Sequence, residues 1–222
     1  MSKVMAVVEG LTEELFVRDV LAPWLWDAGK VEIVASPAGN PGEKGGNVYA
    51  KVRRDIVKHL RNRHFDRVTT FFDFYGMPPK WPGREDANNK SHGNKPGCVE
   101  NAVLADIATI VDEEEIRKLR PYIQMHEFEA LLFSEPRVLA DVLQCKDSVA
   151  KLIGIREEFR TPEEINDSPQ AAPSKRIEAV FPSFRKPIDG VLAAKRITVE
   201  KMLSQCPHFN EWVTWLRSLG GR

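Results

Sequence analysis

The chain has 222 residues, 42% of them hydrophobic and 29% charged, which excludes a disordered protein and suits one domain with a substantial appendage, or two small ones. Lys plus Arg number 32 and Asp plus Glu number 32, so the formal net charge is 0; a uniformly basic nucleic-acid coat is excluded, a local basic face is not. Three scattered cysteines (Cys98, Cys145, Cys206) without a CxxC pair argue against a disulfide framework or a zinc knuckle.

Cysteine usage, the early glutamates and the lack of any apolar run of roughly 18 residues predict a cytoplasmic protein with no signal peptide and no membrane span. Lys3–Glu9 (KVMAVVE) is expected to be a short buried strand. Gly10 turns the chain, and Thr12 caps a helix to about Asp27, with Glu13 and Glu14 in the first turn and a bend near Pro23. Val31–Ala35 reads as a second strand, followed by a Gly/Pro-rich loop over 36–47. The period of Val48, Val52, Ile56 and Leu60 predicts a helix over 48–63, and VTTFFD a third strand over 68–73. The long segment 74–97 reads as a loop, and a loop above about 15 residues is more often functional than idle. A helix over 98–111, a fourth strand over 121–125 (PYIQM) and a helical remainder from Glu127, with Thr161 opening a short helix, complete the pattern. Strands alternating with helices predict an α/β fold: a parallel sheet flanked by helices over 1–135, and a helical subdomain over 136–222 packed on it.

In such a sheet the carboxyl ends of the strands form the ligand edge. Glu9 ends the first strand, Asp73 the third, and Glu127 with Glu129 follows the fourth. Glu13 lies one helical turn beyond Glu9 and can face the same edge. Five crowded carboxylates repel one another unless cations intervene, and an all-oxygen site suits Mg²⁺ or Mn²⁺ as one or two ions, the clamp used in phosphodiester displacement. Each residue also has a plainer role. Glu13 and Glu127 can serve a helix dipole, and Asp73 can form a turn. Glu9 is harder to explain so, because a carboxylate closing an apolar strand is costly to bury unpaired.

VEGLTEELF and FFDFYG resemble the Toprim fold of topoisomerases, primases and overcoming-lysogenization-defect nucleases. Together with MHEFEALLF, APSKRI and CPHFNEWV they resemble, over nearly the whole chain, an uncharacterised bacterial Toprim-like family, domain of unknown function 4276. The resemblance implies a Toprim-like fold and a metal-dependent nuclease, with DNA as substrate, an AAA- or ABC-type ATPase as partner and phage defence as one setting. It leaves the number of copies open, a homo-oligomer included. By the same resemblance Glu9, Glu13, Asp73 and either Glu127 or Glu129 hold the metal, and Lys175 stabilises phosphate charge. Tyr75 stands where the Toprim pattern has its second aspartate, which weakens the inference to two ions.

Lys80, Arg84, Lys90 and Lys95 in the long loop, and Arg176, are candidates for nucleic-acid binding, with Trp81 and Tyr75 as stacking surfaces. The basic run Lys51–Arg63 could also track a phosphate backbone, although a solvated helix face is the plainer reading. His126 could act as a base or ligand, or simply orient Glu127; His208 reads as a helix-entry residue packing on Trp212. No GxxxxGK[ST] loop is present, so ATP hydrolysis is not expected of this chain. The leading expectation is a metal-dependent phosphoesterase of nuclease type. The alternative is a non-catalytic Toprim-like module with a degenerate site. A receiver-like domain with Asp73 as phosphoacceptor lacks the acidic pair it would need after the first strand.

Overall fold

The computed structural model describes residues 1–39, 48–165 and 171–221. Most of the predicted Gly/Pro-rich loop, residues 40–47, lies outside them. Strand β1 (Lys3–Val8) leads through Glu9 and Gly10 into α1 (Leu11–Phe16), one π-helical turn (Val17–Leu21) and α2 (Ala22–Gly29). The helix thus starts one residue before Thr12, and it is Glu13 that caps it, its Oε2 accepting the Gly10 N–H at 2.9 Å. Pro23 does not break it. Proline has no N–H to give, and the chain absorbs the defect by widening the preceding turn, where the Ala22 N–H reaches back five residues to the Val17 carbonyl.

Next come β2 (Glu32–Pro37), α3 (Tyr49–Leu60) and β3 (Arg67–Asp73). The long loop is partly ordered: it carries a short α4 (Arg84–Ala87) and a 3₁₀ turn (His92–Asn94) that runs into α5 (Lys95–Ala108). A short α6 (Glu113–Ile116) is capped by Asp112, whose carboxylate accepts the Glu115 N–H at 2.8 Å.

The predicted fourth strand is broken in two, β4 (Leu119–Arg120) and β5 (Ile123–Gln124), both parallel to β3. The break falls at Pro121 and Tyr122, and the Thr70 hydroxyl bridges it: its Oγ1 accepts the Tyr122 N–H and donates to the Tyr122 carbonyl, both at 2.8 Å. HEFEALLF is a 3₁₀ turn over Phe128–Ser134 rather than an α-helix. The remainder comprises α7 (Pro136–Val142), α8 (Val149–Glu157), a 3₁₀ turn at Pro162–Glu164, α9 (Pro173–Glu178), a π-helical turn at Lys186–Gly190, α10 (Val191–Ile197), α11 (Val199–Gln205) and α12 (Pro207–Ser218).

The sheet is parallel throughout, in the order β2-β1-β3-β4, with β5 continuing beside β3. Alternate residues of β1 serve opposite faces, as a two-residue period requires. Val4, Ala6 and Val8 join Phe16, Phe71 and the later helices, including Leu139, Ala194 and Trp212, in one core. Met5 and Val7 join α3 and α5 through Val52, Ile56, Val99 and Val103 in the other. The residues from 136 onward therefore pack directly on one face of the sheet. Trp212 anchors α12 there: its ring stacks on Tyr122 at 4.3 Å, and its Nε1–H donates to Thr69 Oγ1 at 2.8 Å. His208 stacks on Tyr122 and not on Trp212, and its Nε2 lies 2.8 Å from Glu100. No helix among the described residues is long and apolar enough to cross a membrane.

Candidate functional site

The strand order reverses between β1 and β3, and their carboxyl ends open the crevice where open α/β sheets bind ligands. Glu9 continues the β1 ladder, with its N–H on the Phe71 carbonyl at 3.1 Å. Its Oε2 accepts the Asp73 N–H at 3.0 Å, which locks the ends of β1 and β3 together. Gly76 makes room for this carboxylate, for a Cβ there would sit 3.1 Å from Glu9 Oε1. Asp73 in turn accepts the Phe128 N–H at 2.9 Å on Oδ1, tying β3 to the HEFE turn.

That turn begins at His126, in the left-handed region at φ +61, an uncommon conformation for a residue with a Cβ. Glu127 Oε2 accepts the Ser174 N–H at 3.0 Å. Glu129 is almost fully buried, at 1% exposure, and its Oε1 has no hydrogen-bond partner. Among the described residues, one cation serves the cluster. Lys186 Nζ lies 3.1 Å from Glu129 Oε2 and 3.5 Å from Glu127 Oε1.

The electrostatics follow from five carboxylates, buried or half-buried, drawn together around Lys186. Burial pushes Glu13 up to about 7, with the Glu9 charge adding to it. Burial likewise raises Glu129 to about 7, against Lys186 and with the help of Glu127. Asp73 is held well above the usual carboxylate range by burial, then by Glu13, Glu9 and Glu129. Burial also raises Glu9, although the Asp73 amide and Lys186 oppose it. For Lys186 burial works against the charge, yet Glu129, Glu127 and Asp73 together hold its ammonium above the ordinary lysine value.

The five predicted carboxylates thus act on one another at a single edge. Their donor set, oxygen only, fits a hard divalent ion in chemistry and in charge, and the unpartnered Glu129 oxygen is a ready acceptor. Among the described residues, however, no three acidic, histidine or cysteine side chains are gathered to hold an ion as they stand. Ligation requires the carboxylates to re-aim, with Lys186 giving up part of its hold.

The basic candidates divide. Lys175 is exposed and pairs with Glu178 at 2.7 Å, on α9, rather than with the cluster; the lysine at the cluster is Lys186. No motif marks Lys186 in the sequence, where it is one basic residue of FRKP. Arg176 is engaged locally, donating to the Ala171 carbonyl at 2.9 Å and lying over the Phe159 ring. On α3, Arg53 pairs with Asp106, Arg54 with Asp55 and Arg61 with Glu115, as on a solvated helix face. Lys80 and Lys90 are exposed. Trp81 offers no stacking surface: it is 3% exposed and packs against Tyr49 and Phe72. Tyr75 is exposed beside the crevice, its N–H on the His126 carbonyl at 3.0 Å. Arg84 lies over the Phe74 ring, which His126 meets edge-on, and Lys95 opens α5.

Neither the curated proteins nor the solved structures contain a significant match to this chain. A family model described as "Domain of unknown function (DUF4276)" matches residues 8–217, which takes in every acidic residue of the crevice as well as Lys186. The chain belongs to the DUF4276 family.

Proposed function

We propose that this protein is a Mg²⁺- or Mn²⁺-dependent phosphoesterase with a Toprim-like core, hydrolysing phosphodiesters as a nuclease. The observation that carries the reading is the buried Glu129 oxygen that has no donor among the described residues, set among four further carboxylates and with Lys186 as the one described cation beside them. With its carboxylates ionised, such a crevice carries more negative charge than Lys186 offsets, and a divalent ion would supply the balance. Glu9, Asp73 and Glu127 or Glu129 would hold the ion. When bound, it supplies Lewis-acid polarisation of a phosphoryl oxygen and a more acidic water. Glu13, beside the other carboxylates, would be the residue placed to accept a proton from such a water or to help hold the ion. Lys186 takes the role expected of Lys175, stabilising charge that develops on the phosphate. DNA as substrate, an ATPase partner and a place in phage defence rest on the family resemblance; a neutral chain that borrows DNA affinity from a partner is consistent with them.

Calorimetric titration of Mn²⁺ and Mg²⁺ into the wild type and into Glu9→Gln, paired with a DNA cleavage assay on Asp73→Asn, tests the proposal. Metal binding lost in Glu9→Gln and cleavage lost in Asp73→Asn are expected. If the wild type binds no metal, with or without an oligonucleotide, the phosphoesterase reading fails. The second reading, a non-catalytic module, would then stand; it is favoured by Lys186 already lying between Glu127 and Glu129, and by Tyr75 in place of an aspartate.

A further inference from the structure

Helix α3 buries Val52, Ile56 and Leu60 in the core, and beside that stripe it borders an open groove. The groove, of about 380 Å³, lies between α3 and the end of α5. It is lined by the aliphatic Ala50, Val57 and Ile110 and by the cationic Arg53, Arg54, Lys58 and Arg61. Among the described residues no acidic and no aromatic side chain lines it.

The arginines do have carboxylate partners, but these hold them from behind. Asp106 accepts Arg53 Nε at 2.7 Å, Asp55 accepts Arg54 Nε at 3.3 Å, and Glu115 lies 3.5 Å from Arg61 Nε. In each pair the acid meets the inner nitrogen of the guanidinium rather than its terminal fork. In two pairs the acid is also much the more buried: the Asp55 side chain is 16% exposed against 61% for Arg54, and Glu115 19% against 58% for Arg61. Two of the acids serve the fold as well, Asp55 accepting the Gly39 N–H at 2.8 Å and Asp106 the Tyr49 hydroxyl at 2.7 Å. The terminal nitrogens reach only neutral oxygens: Arg53 Nη2 donates to Thr109 Oγ1 at 3.4 Å and Arg61 Nη2 to the Ile110 carbonyl at 3.2 Å. Among the described residues the Arg54 fork donates to nothing through its Nη atoms, and Lys58 forms no ion pair. A carboxylate on Nε fixes the direction of a guanidinium and leaves its outer donors for a phosphate.

We infer that this groove binds the phosphate backbone of duplex DNA. Arg54, Lys58 and Arg61 follow one another at four and three residues, so they share a face and span about 10 Å of the helix axis. A duplex strand carries one phosphate per about 3.4 Å of its own axis, so the face meets roughly three of them. Without an aromatic ring the groove has nothing on which an unpaired base would stack, which disfavours a single strand. Its aliphatic lining is three small contacts, too little to seat the apolar anchors of an acidic peptide. The groove gives a chain of zero net charge a DNA contact of its own. That the duplex held there is the substrate of the acidic crevice rests on the phosphoesterase reading; the binding itself does not.

The test follows the anisotropy of a fluorescein-labelled DNA duplex titrated with the full chain in EDTA, over a series of salt concentrations. Saturable binding is expected, with log affinity falling against log salt at a slope of about −3. In Arg54→Ala/Lys58→Ala the slope should shrink by about 2 and low-salt affinity should fall at least about tenfold, with Tm unchanged. Lys195→Ala/Arg196→Ala, on α10, removes the same charge elsewhere and should keep the wild-type slope. No saturable binding by the wild type, an unchanged slope in the α3 variant, or an equal loss in the α10 variant overturns the groove. Tighter binding of a single strand, an RNA duplex or polyglutamate than of duplex DNA overturns the assignment of its occupant. Mn²⁺-dependent hydrolysis of bis-p-nitrophenyl phosphate, too small to span both places, reads the crevice separately. It should be equal in wild type and α3 variant; if neither hydrolyses the ester while the variant loses DNA, the phosphoesterase reading fails and the groove stands.

Discussion

Replacing Glu13 by Gln isolates the electrostatic cost of the crevice. Gln keeps the shape, and its amide oxygen can still accept the Gly10 N–H that Glu13 now receives. Glu13 is raised from an ordinary 4.5 to about 7 in the folded protein, so the fold binds its proton more tightly than the unfolded chain does. The sign follows: wild-type stability from this group is fully present below about pH 4.5 and is lost as pH rises through about 7. At about 1.4 kcal/mol per pH unit, the ionised form costs the fold roughly 1 kcal/mol at about pH 5 and roughly 3 kcal/mol at about pH 8. Glu13→Gln should therefore gain about 2.5 kcal/mol relative to wild type between those two pH values, equivalent to a Tm difference of roughly 5–10 °C for a chain of this size. Any fixed cost of the extra amide N–H cancels in that difference. Urea unfolding in EDTA at both pH values measures it. A stability difference that does not change with pH would refute the claim that Glu13 is buried among like charges. Adding Mn²⁺ should flatten the wild-type pH dependence, since an ion that binds the carboxylates competes with their protons.

Gly76→Ala should lower divalent-ion affinity with little change in Tm, because its methyl would press on Glu9 Oε1 from 3.1 Å; equal affinity by calorimetry would mean that Glu9 does not need its present position. Lys186→Ala should destabilise the metal-free protein by about 1–3 kcal/mol, below the usual figure for a broken buried pair because the lysine is 38% exposed, and Mn²⁺ should restore part of the loss. Lys175→Ala should leave thermal stability and metal affinity unchanged, its partner among the described residues being Glu178; a loss equal to that of Lys186→Ala would reverse the assignment of the two lysines. Thr70→Val should cost about 1–3 kcal/mol in urea unfolding, since it strips the buried Tyr122 N–H of its acceptor; no loss would mean that Tyr122 finds another partner.

The features legible in the sequence were those with a short period or an end. Each strand was marked by its own apolar run, and a parallel sheet then placed Glu9, Asp73 and the HEFE carboxylates at one edge without further information. The broken fourth strand was not legible, because it depends on a threonine hydroxyl 52 residues away. HEFEALLF has helical spacing, but the Asp73 carboxylate takes the Phe128 N–H and Lys186 takes Glu129, which settles a 3₁₀ turn instead. Lys186 was illegible for the same reason: its role comes from a π-helical turn folding back on residues 57 positions earlier. Trp81, in a basic loop, looked like a base-stacking surface, yet apolar area won and the ring was buried against Phe72.

The widened turn at Val17–Leu21 has a consequence for how this chain tolerates length changes. It holds one residue more than an α-helical turn would, and it separates α1, pinned to β1 by the two residues Glu9 and Gly10, from α2, which packs near α12 through Gly29 and Arg217. Deleting a single residue within α1 or α2 would rotate one half against the other by about 100°. Either Glu13 leaves the crevice or Leu25 leaves the core. A deletion within the widened turn does neither, because its five residues sweep about the angle of four α-helical ones and so hold one to spare; it is the place where this helix can lose a residue and keep both ends in register.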